Sequence, residues 1–165
     1  MDTKTFTGKY RFWTPNAIQA FVSHAESLLY KKGDSILLPM EQNQSVYMIE
    51  SGIVNMRYYT KEGNVVTVLQ KVPGDLYGIK GLFHFKGEKN FYSVAATDVR
   101  CWKISRLDFL NLLETNSEFT ICAFQWFTTY MDTIERKMLN SAFLNTHQRL
   151  ILTLTDFAED RKSVV

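Results

Sequence analysis

The spacing of apolar and polar residues changes period twice along this chain. Residues 1–13 are polar with scattered aromatics and read as an irregular arm. Thr14-Pro15 has the form of an N-cap followed by a first-turn proline, and the short helix it opens is expected to bury Ile18, Phe21 and Val22. From Leu28 the pattern becomes one of short strands. They are predicted at 28–30, 35–40, 46–50, 53–59, 65–72, 91–96 and 99–104. Turns fall at Lys32-Gly33-Asp34, Ser51-Gly52, Lys61-Glu62-Gly63-Asn64 and Thr97-Asp98, with a polar loop over 41–45 and a charged, glycine-containing one over 85–90. Many short strands punctuated this way predict an antiparallel sandwich or barrel.

The period then becomes helical. Ser105-Arg106-Leu107-Asp108 has capping-box spacing, and its helix is expected to carry Leu107, Leu110 and Leu113 inward. Asn116-Ser117 can cap a second, much longer helix. Along it Phe124, Phe127, Met131, Ile134 and Met138 recur at spacings of three and four, and Trp126 and Tyr130 widen that stripe. Such a face either covers the sheet or pairs with a second copy of the chain. Its length exceeds what a small sheet requires, which favours pairing. Thr146-His147-Gln148 has the look of another cap, before an amphipathic segment of Leu150, Ile151, Leu154, Phe157 and Ala158. An amphipathic helix at the end of the sequence suggests a missing partner.

Between the strand ending at Val72 and the next strand lies the stretch Pro73-Gly74-Asp75-Leu76-Tyr77-Gly78-Ile79-Lys80-Gly81-Leu82-Phe83. Pro-Gly-Asp is a strong turn signal. Three glycines within eight residues let the backbone take positive φ and let a ligand approach it, and Gly78-x-x-Gly81 can aim N–H groups at an anion. The same letters also describe a plain β-turn before a short helical turn.

Composition narrows the classes. The 165 residues carry a net charge of +2, are 45% hydrophobic and 22% charged, and are 14% aromatic. This is a globular composition for one domain, or one plus part of another, with no global nucleic-acid signature. The aromatic content leaves rings to spare for an interface or pocket. Cys101 and Cys122 are far apart and lack CxxC spacing, so reduced thiols in a cytoplasmic protein are expected and a disulfide, zinc site or iron–sulfur cluster is not. Neither a secretory h-region nor a bilayer-length apolar run is visible.

In this order the blocks resemble the catabolite-activator (Crp/Fnr) family of bacterial transcription regulators, over roughly residues 28–160. Tyr30-Lys31-Lys32-Gly33-Asp34 is similar to the family's opening hairpin. The run from Val46 to Val54 through Ser51-Gly52 looks like its strand, Ser-Gly, strand signature, and Pro73-Gly74-Asp75-Leu76-Tyr77-Gly78 like its Pro-Gly-Asp-hydrophobic-aromatic-Gly block. Ala142-Phe143-Leu144-Asn145 resembles the hinge after the family's dimer helix. The resemblance implies a mainly β fold with α: a double-stranded β-helix (jelly roll) followed by a long dimerisation helix. It divides the chain into an effector-sensing domain over 1–115, a dimerisation helix over 116–145, and the start of a winged helix-turn-helix domain over 146–165. The reader of DNA itself lies outside this sequence, so the chain is either shortened or a natural sensor-only protein; the stranded segment at Leu150 favours the former. Homodimerisation, DNA and a small-molecule effector are the implied partners, and the dimer interface falls on Phe124, Phe127, Met131, Ile134 and Met138.

The resemblance breaks where a cyclic nucleotide would bind. Cyclic-nucleotide sensors of the family place a glutamate after the first cradle glycine to accept from the ribose; here it is Ile79. They set an arginine and a small hydroxyl residue against the phosphate; here the pair is Asn90-Phe91. Their helix hydroxyl pair falls at Ile134 and Glu135. A desolvated phosphate without its cation is costly, so cyclic AMP is not the expected effector. Lys80 and Lys89 among Tyr77, Phe83, Phe91 and Tyr92 suit an aromatic or carboxylated small anion. The Gly-x-Lys and Asn-aromatic-Tyr runs look like those of the family's organohalide-respiration regulators, which sense chlorinated aromatic acids. The expected effector site is Tyr77, Gly78, Ile79, Lys80, Gly81, Leu82, Lys89, Asn90, Phe91, Tyr130 and Ile134.

Other classes find less in the residues. Heme-sensing relatives need an axial ligand in place, whereas His24, His84 and His147 are scattered, and the N-terminal cysteine cluster of oxygen sensors is not present in residues 1–30. Cupin enzymes share the jelly roll but bind metal through clustered histidines, and no His-x-His occurs. No catalytic triad or Cys/His motif appears, so no enzyme activity is expected. A stand-alone effector module, of the kind attached to kinases and channels, is disfavoured only by the hinge-like Phe143-Leu144-Asn145.

Overall fold

The computed structural model describes residues 13–38, 44–79, 91–143 and 151. Helix α1 (Pro15–Val22) begins where predicted: the Thr14 side chain accepts from the Ala17 N–H at 3.1 Å, and proline occupies the first turn. Its buried face is Ala17, Ile18 and Phe21, with Val22 half-buried at the edge. Eight strands follow among the described residues: β1 (Glu26–Tyr30), β2 (Ser35–Leu37), β3 (Ser45–Ser51), β4 (Val54–Tyr59), β5 (Val65–Lys71), β6 (Leu76–Tyr77), β7 (Phe91–Ala95) and β8 (Val99–Ser105). They form two antiparallel sheets, β1-β8-β3-β6 and β2-β7-β4-β5, packed as a sandwich of the jelly-roll kind.

Strand β3 shows why the chain needs helices as well as strands. Val46, Tyr47, Met48 and Ile49 are all buried. Because alternate side chains point to opposite faces, Tyr47 and Ile49 fill the sandwich with Ile36, Val54, Tyr77, Ala95, Val99 and Cys101. Val46 and Met48 face out, where helices cover them with Trp13, Phe21, Phe109, Phe119 and Trp126. Phe119 is the hub of that outer cluster. Its ring lies 5.6 Å from Trp13, 5.9 Å from Phe21 and 5.9 Å, edge to face, from Phe109.

Helix α2 (Arg106–Thr115) starts at Ser105, whose hydroxyl accepts from the Asp108 N–H, as the capping spacing predicts. Its inward face differs from the expected one. Phe109 and Leu112 are buried, Leu110 and Leu113 only partly so, and Leu107 is 76% exposed. The aromatic ring of Phe109 takes the inner position beside Phe21 and Phe119 and turns Leu107 out. Asn116 then caps the long helix α3 (Ser117–Phe143), its side chain accepting from the Phe119 N–H at 2.9 Å. Glu118, in the first turn of α3, accepts from Thr14 Oγ1 and Asn16 Nδ2 and ties the start of α1 to it.

Trp13 corrects the reading of residues 1–13 as an arm: it is buried in the core, 5% exposed, with its indole N–H committed to a backbone carbonyl. The expected hinge is described only through Ala142 and Phe143, which end α3, and the terminal segment only at Ile151; residues 144–150 and 152–165 lie outside the described ones.

Candidate functional site

The glycine-rich stretch leaves β5 as a tightly pinned turn. Gly74 and Gly78 both take positive φ, 88° and 90°, which a side chain would resist. Asp75 closes the turn on itself: its N–H donates to Val72 O at 2.9 Å, and its Oδ2 accepts from the Val72 N–H at 2.9 Å. Strand β3 holds the turn from one side, with Gly74 N–H donating to Ile49 O and Ile49 N–H to Asp75 O. Trp13 Nε1 holds it from another, donating to Gly74 O at 2.9 Å.

A third hold comes from α3. Trp126 Nε1 donates to Asp75 Oδ1 at 3.1 Å in the buried interior. The ammonium of Lys71 stands 4.0 Å from the same oxygen. It also sits 3.6 Å from the centroid of the Tyr130 ring and 5.1 Å from that of Trp126. Those two rings are stacked, 5.3 Å apart and 9° from parallel. Burial pushes the Tyr130 hydroxyl pKa above its ordinary value, and the Asp75 charge pushes it further. The buried Lys71–Asp75 pair is thus bonded to the long helix by the Trp126 hydrogen bond to its carboxylate and by the Tyr130 ring over its ammonium.

Six of the eleven expected effector residues lie among the described ones. Tyr77 is buried inside the sandwich, stacked on Tyr47 with ring centroids 4.7 Å apart. Burial first, and then neighbouring Cys101, Tyr47 and Tyr30, raise its hydroxyl pKa, and burial holds the Cys101 thiol up at about 11. Gly78 and Ile79 are half-buried, and Ile79 packs against the outer apolar cluster that contains Trp126. Phe91 opens β7 half-buried, its ring centroid 5.0 Å from that of Tyr58. Lys80, Gly81, Leu82, Lys89 and Asn90 lie outside the described residues. Ile134 is half-buried.

Helix α3 carries two apolar stripes rather than one broad one. Phe119, Cys122 and Trp126 are buried against the sandwich, continued by partly buried Tyr130. Trp126 and Tyr130 therefore do not widen the outward stripe as the sequence suggested; at 100° per residue they fall on the inward face. Phe124, Phe127, Met131 and Met138 are left 65%, 48%, 38% and 66% exposed. Lys71, Trp13 and the Asp75 side chain were not legible as site residues. A lysine ending a strand reads as solvated, and nothing local marks its ring partners more than fifty residues away.

The sequence matches the cyclic nucleotide-binding domain over residues 28–116. The chain belongs to the cyclic nucleotide-binding domain family. It is 24% identical over 146 residues to the cAMP-activated global transcriptional regulator CRP of Salmonella typhimurium, a match covering 88% of this chain and 70% of the regulator. The fold is that of the Thermus thermophilus catabolite activator protein, with a TM-score of 0.64 at 21% identity over 86% of this chain and 64% of that one. It is equally that of oxidized CprK in complex with o-chlorophenolacetic acid, with a TM-score of 0.63 at 14% identity over 79% of this chain and 54% of that one. The chain thus spans between 54% and 70% of the length of these relatives. They are regulators of the Crp/Fnr kind, and this is a sensor domain of that kind with a long C-terminal helix. Among the described residues no cluster of His, Cys, Asp or Glu could hold a metal, and no helix is long and apolar enough to cross a membrane.

Proposed function

We propose that this chain is the effector-sensing and dimerisation part of a cytoplasmic Crp/Fnr-type transcription regulator. It pairs through α3 as a homodimer. A small organic effector, aromatic or carboxylated and not cyclic AMP, sits between the cradle at 77–82, the start of β7 and the Tyr130–Ile134 turn of α3. Its arrival shifts the population between two arrangements of the paired helices. That shift controls DNA binding by a helix-turn-helix outside these 165 residues, whose spacing must match two operator half-sites.

One observation carries this reading: α3 is bonded on one face to the cradle turn and bare and apolar on the other. A helix so placed joins a binding site to a partner. Against cyclic nucleotides stands Ile79, which packs into an apolar cluster where a ribose hydroxyl would need an acceptor. Tyr130 already gives its ring face to Lys71.

Two titrations test the effector class. Calorimetry with cyclic AMP and cyclic GMP should show no specific binding at micromolar concentration; a saturable micromolar site for either contradicts the proposal. A thermal-shift series of aromatic carboxylic acids should contain a stabilising member, weakened by Lys80→Ala. A hit that survives Lys80→Ala unchanged removes Lys80 from the site.

A further inference from the structure

Lys71 and Asp75 are 4% and 2% exposed, and both sit where two separate elements meet. From the sandwich come the end of β5 and the turn after it. From α3 come Trp126, which donates to the carboxylate, and Tyr130, whose ring covers the ammonium. Trp126 and Tyr130 are one helical turn apart and stacked, so they engage the pair together. A slide or rotation of α3 that carried the Tyr130 ring off the ammonium would draw Trp126 Nε1 from Asp75 in the same movement.

Intermediate positions are costly. Lys71 and Asp75 both belong to the sandwich, so their ion pair stays together when α3 moves; what each charge gives up is its α3 partner, and a buried charge that loses such a partner is costly. Because both partners are carried stacked on one helical turn, the two contacts are made or lost together. Gly78 and Ile79 follow the turn directly through β6, whose Tyr77 and Leu76 are paired with β3. Whatever moves the turn therefore reaches Gly78 and Ile79 directly.

We propose that Lys71, Asp75, Trp126 and Tyr130 form a latch that sets where α3 sits on the sandwich, and through which displacement of the 72–78 turn is passed to the helix. They are positioning residues: they fix the helix whether or not they touch the effector. Their regulatory meaning rests on the reading of α3 as the output element. The coupling itself needs neither an effector nor a second copy of the chain.

Amide hydrogen exchange on the 165-residue chain tests the latch from both ends. Tyr130→Leu, which removes the ring from the ammonium, should speed exchange of the 72–78 amides about tenfold. Exchange in β4, remote from the latch, should stay unchanged. Tyr130→Phe keeps the ring face and should restore protection to the turn. Reciprocally, Lys71→Met should speed exchange over residues 126–134 by a similar factor. Lys71→Met decides the matter alone if Tyr130→Leu does not fold. The latch is overturned if each variant loosens only its own element, if Tyr130→Phe behaves as Tyr130→Leu, or if exchange rises equally throughout the sandwich. None of these outcomes touches the effector proposal, which the calorimetry decides separately.

Discussion

At Gly52 the chain passes so close to the neighbouring turn that a side chain has nowhere to go. Its φ is +89°, and a Cβ built there would stand 2.2 Å from the carbonyl oxygen of Asp98 and 2.9 Å from the Cα of Val99. Both are backbone atoms, so no rotamer change relieves the contact. Gly52→Ala should therefore lower stability by about 2 kcal/mol or more, combining left-handed strain with displacement of the β7–β8 turn. Urea unfolding measures this directly, and a midpoint within error of the wild type would mean the two turns do not pack as described. The Ser-Gly pair was read from the sequence as a tight turn; its second duty, close approach to residue 98, has no local signature. Caps were the most legible residues. Thr14, Ser105 and Asn116 act on N–H groups three residues on, so their partners are written beside them. Lys71 was the least legible, because its partners are a helix face and a turn carboxylate that only the fold brings together.

Among the elements, the strands were read better than the helix faces. A strand alternates with period two and has two sides. Four consecutive buried residues in β3 declare that both sides are covered, and the structure supplies a core on each. A helix of period 3.6 with apolar residues over more than half its circumference leaves open which stripe meets the sandwich. That ambiguity put Leu107 inward in α2 and Trp126 outward in α3, and tertiary packing reversed both. At the far end of the sandwich, elements are joined by charge. Lys31 Nζ lies 2.9 Å from Asp98 Oδ2, and Asp98 Oδ1 accepts from the Lys32 N–H at 3.0 Å, linking the β1–β2 turn to the β7–β8 turn. The hydrogen bond from Lys31 lowers the Asp98 pKa below 3.8, and that to Asp98 raises the Lys31 pKa above 10.5. A depressed carboxylate stabilises above its unfolded pKa and loses that contribution as pH falls through the folded one. A raised lysine stabilises below its unfolded pKa and loses it as pH rises through its folded one. The pair is well exposed, so its contribution is small and screened by salt. Asp98→Asn should thus lower the melting temperature slightly at pH 7, and the difference should close below pH 3.8 as wild-type Asp98 protonates. A difference that persists undiminished at pH 2 would assign the effect to shape rather than charge.

Over the whole molecule, the account turns on the side of α3 that faces away from the sandwich. Phe124, Phe127, Met131, Ile134 and Met138 alternate at three and four residues, the spacing at which two helices interlock. Four of these five are more than a third exposed in the single chain, and beyond Ile134 Met138, Leu139 and Phe143 are too. Contiguous exposed apolar surface of this kind is typical of interaction sites, which supports the proposed pairing. The resemblance to Crp/Fnr regulators made a pairing helix expected. The structure adds that this helix is also bolted to the cradle turn, which is what a reporter of effector binding requires. Sedimentation equilibrium tests the pairing most directly, on the wild-type chain and on Phe127→Glu combined with Met131→Glu, which places charges in the seam without touching the buried stripe. The wild type should sediment at twice the 19.2 kDa chain mass and the double variant at the chain mass, with the same circular dichroism. A wild-type chain that stays monomeric at tens of micromolar, or a dimer indifferent to both charges, would contradict the account.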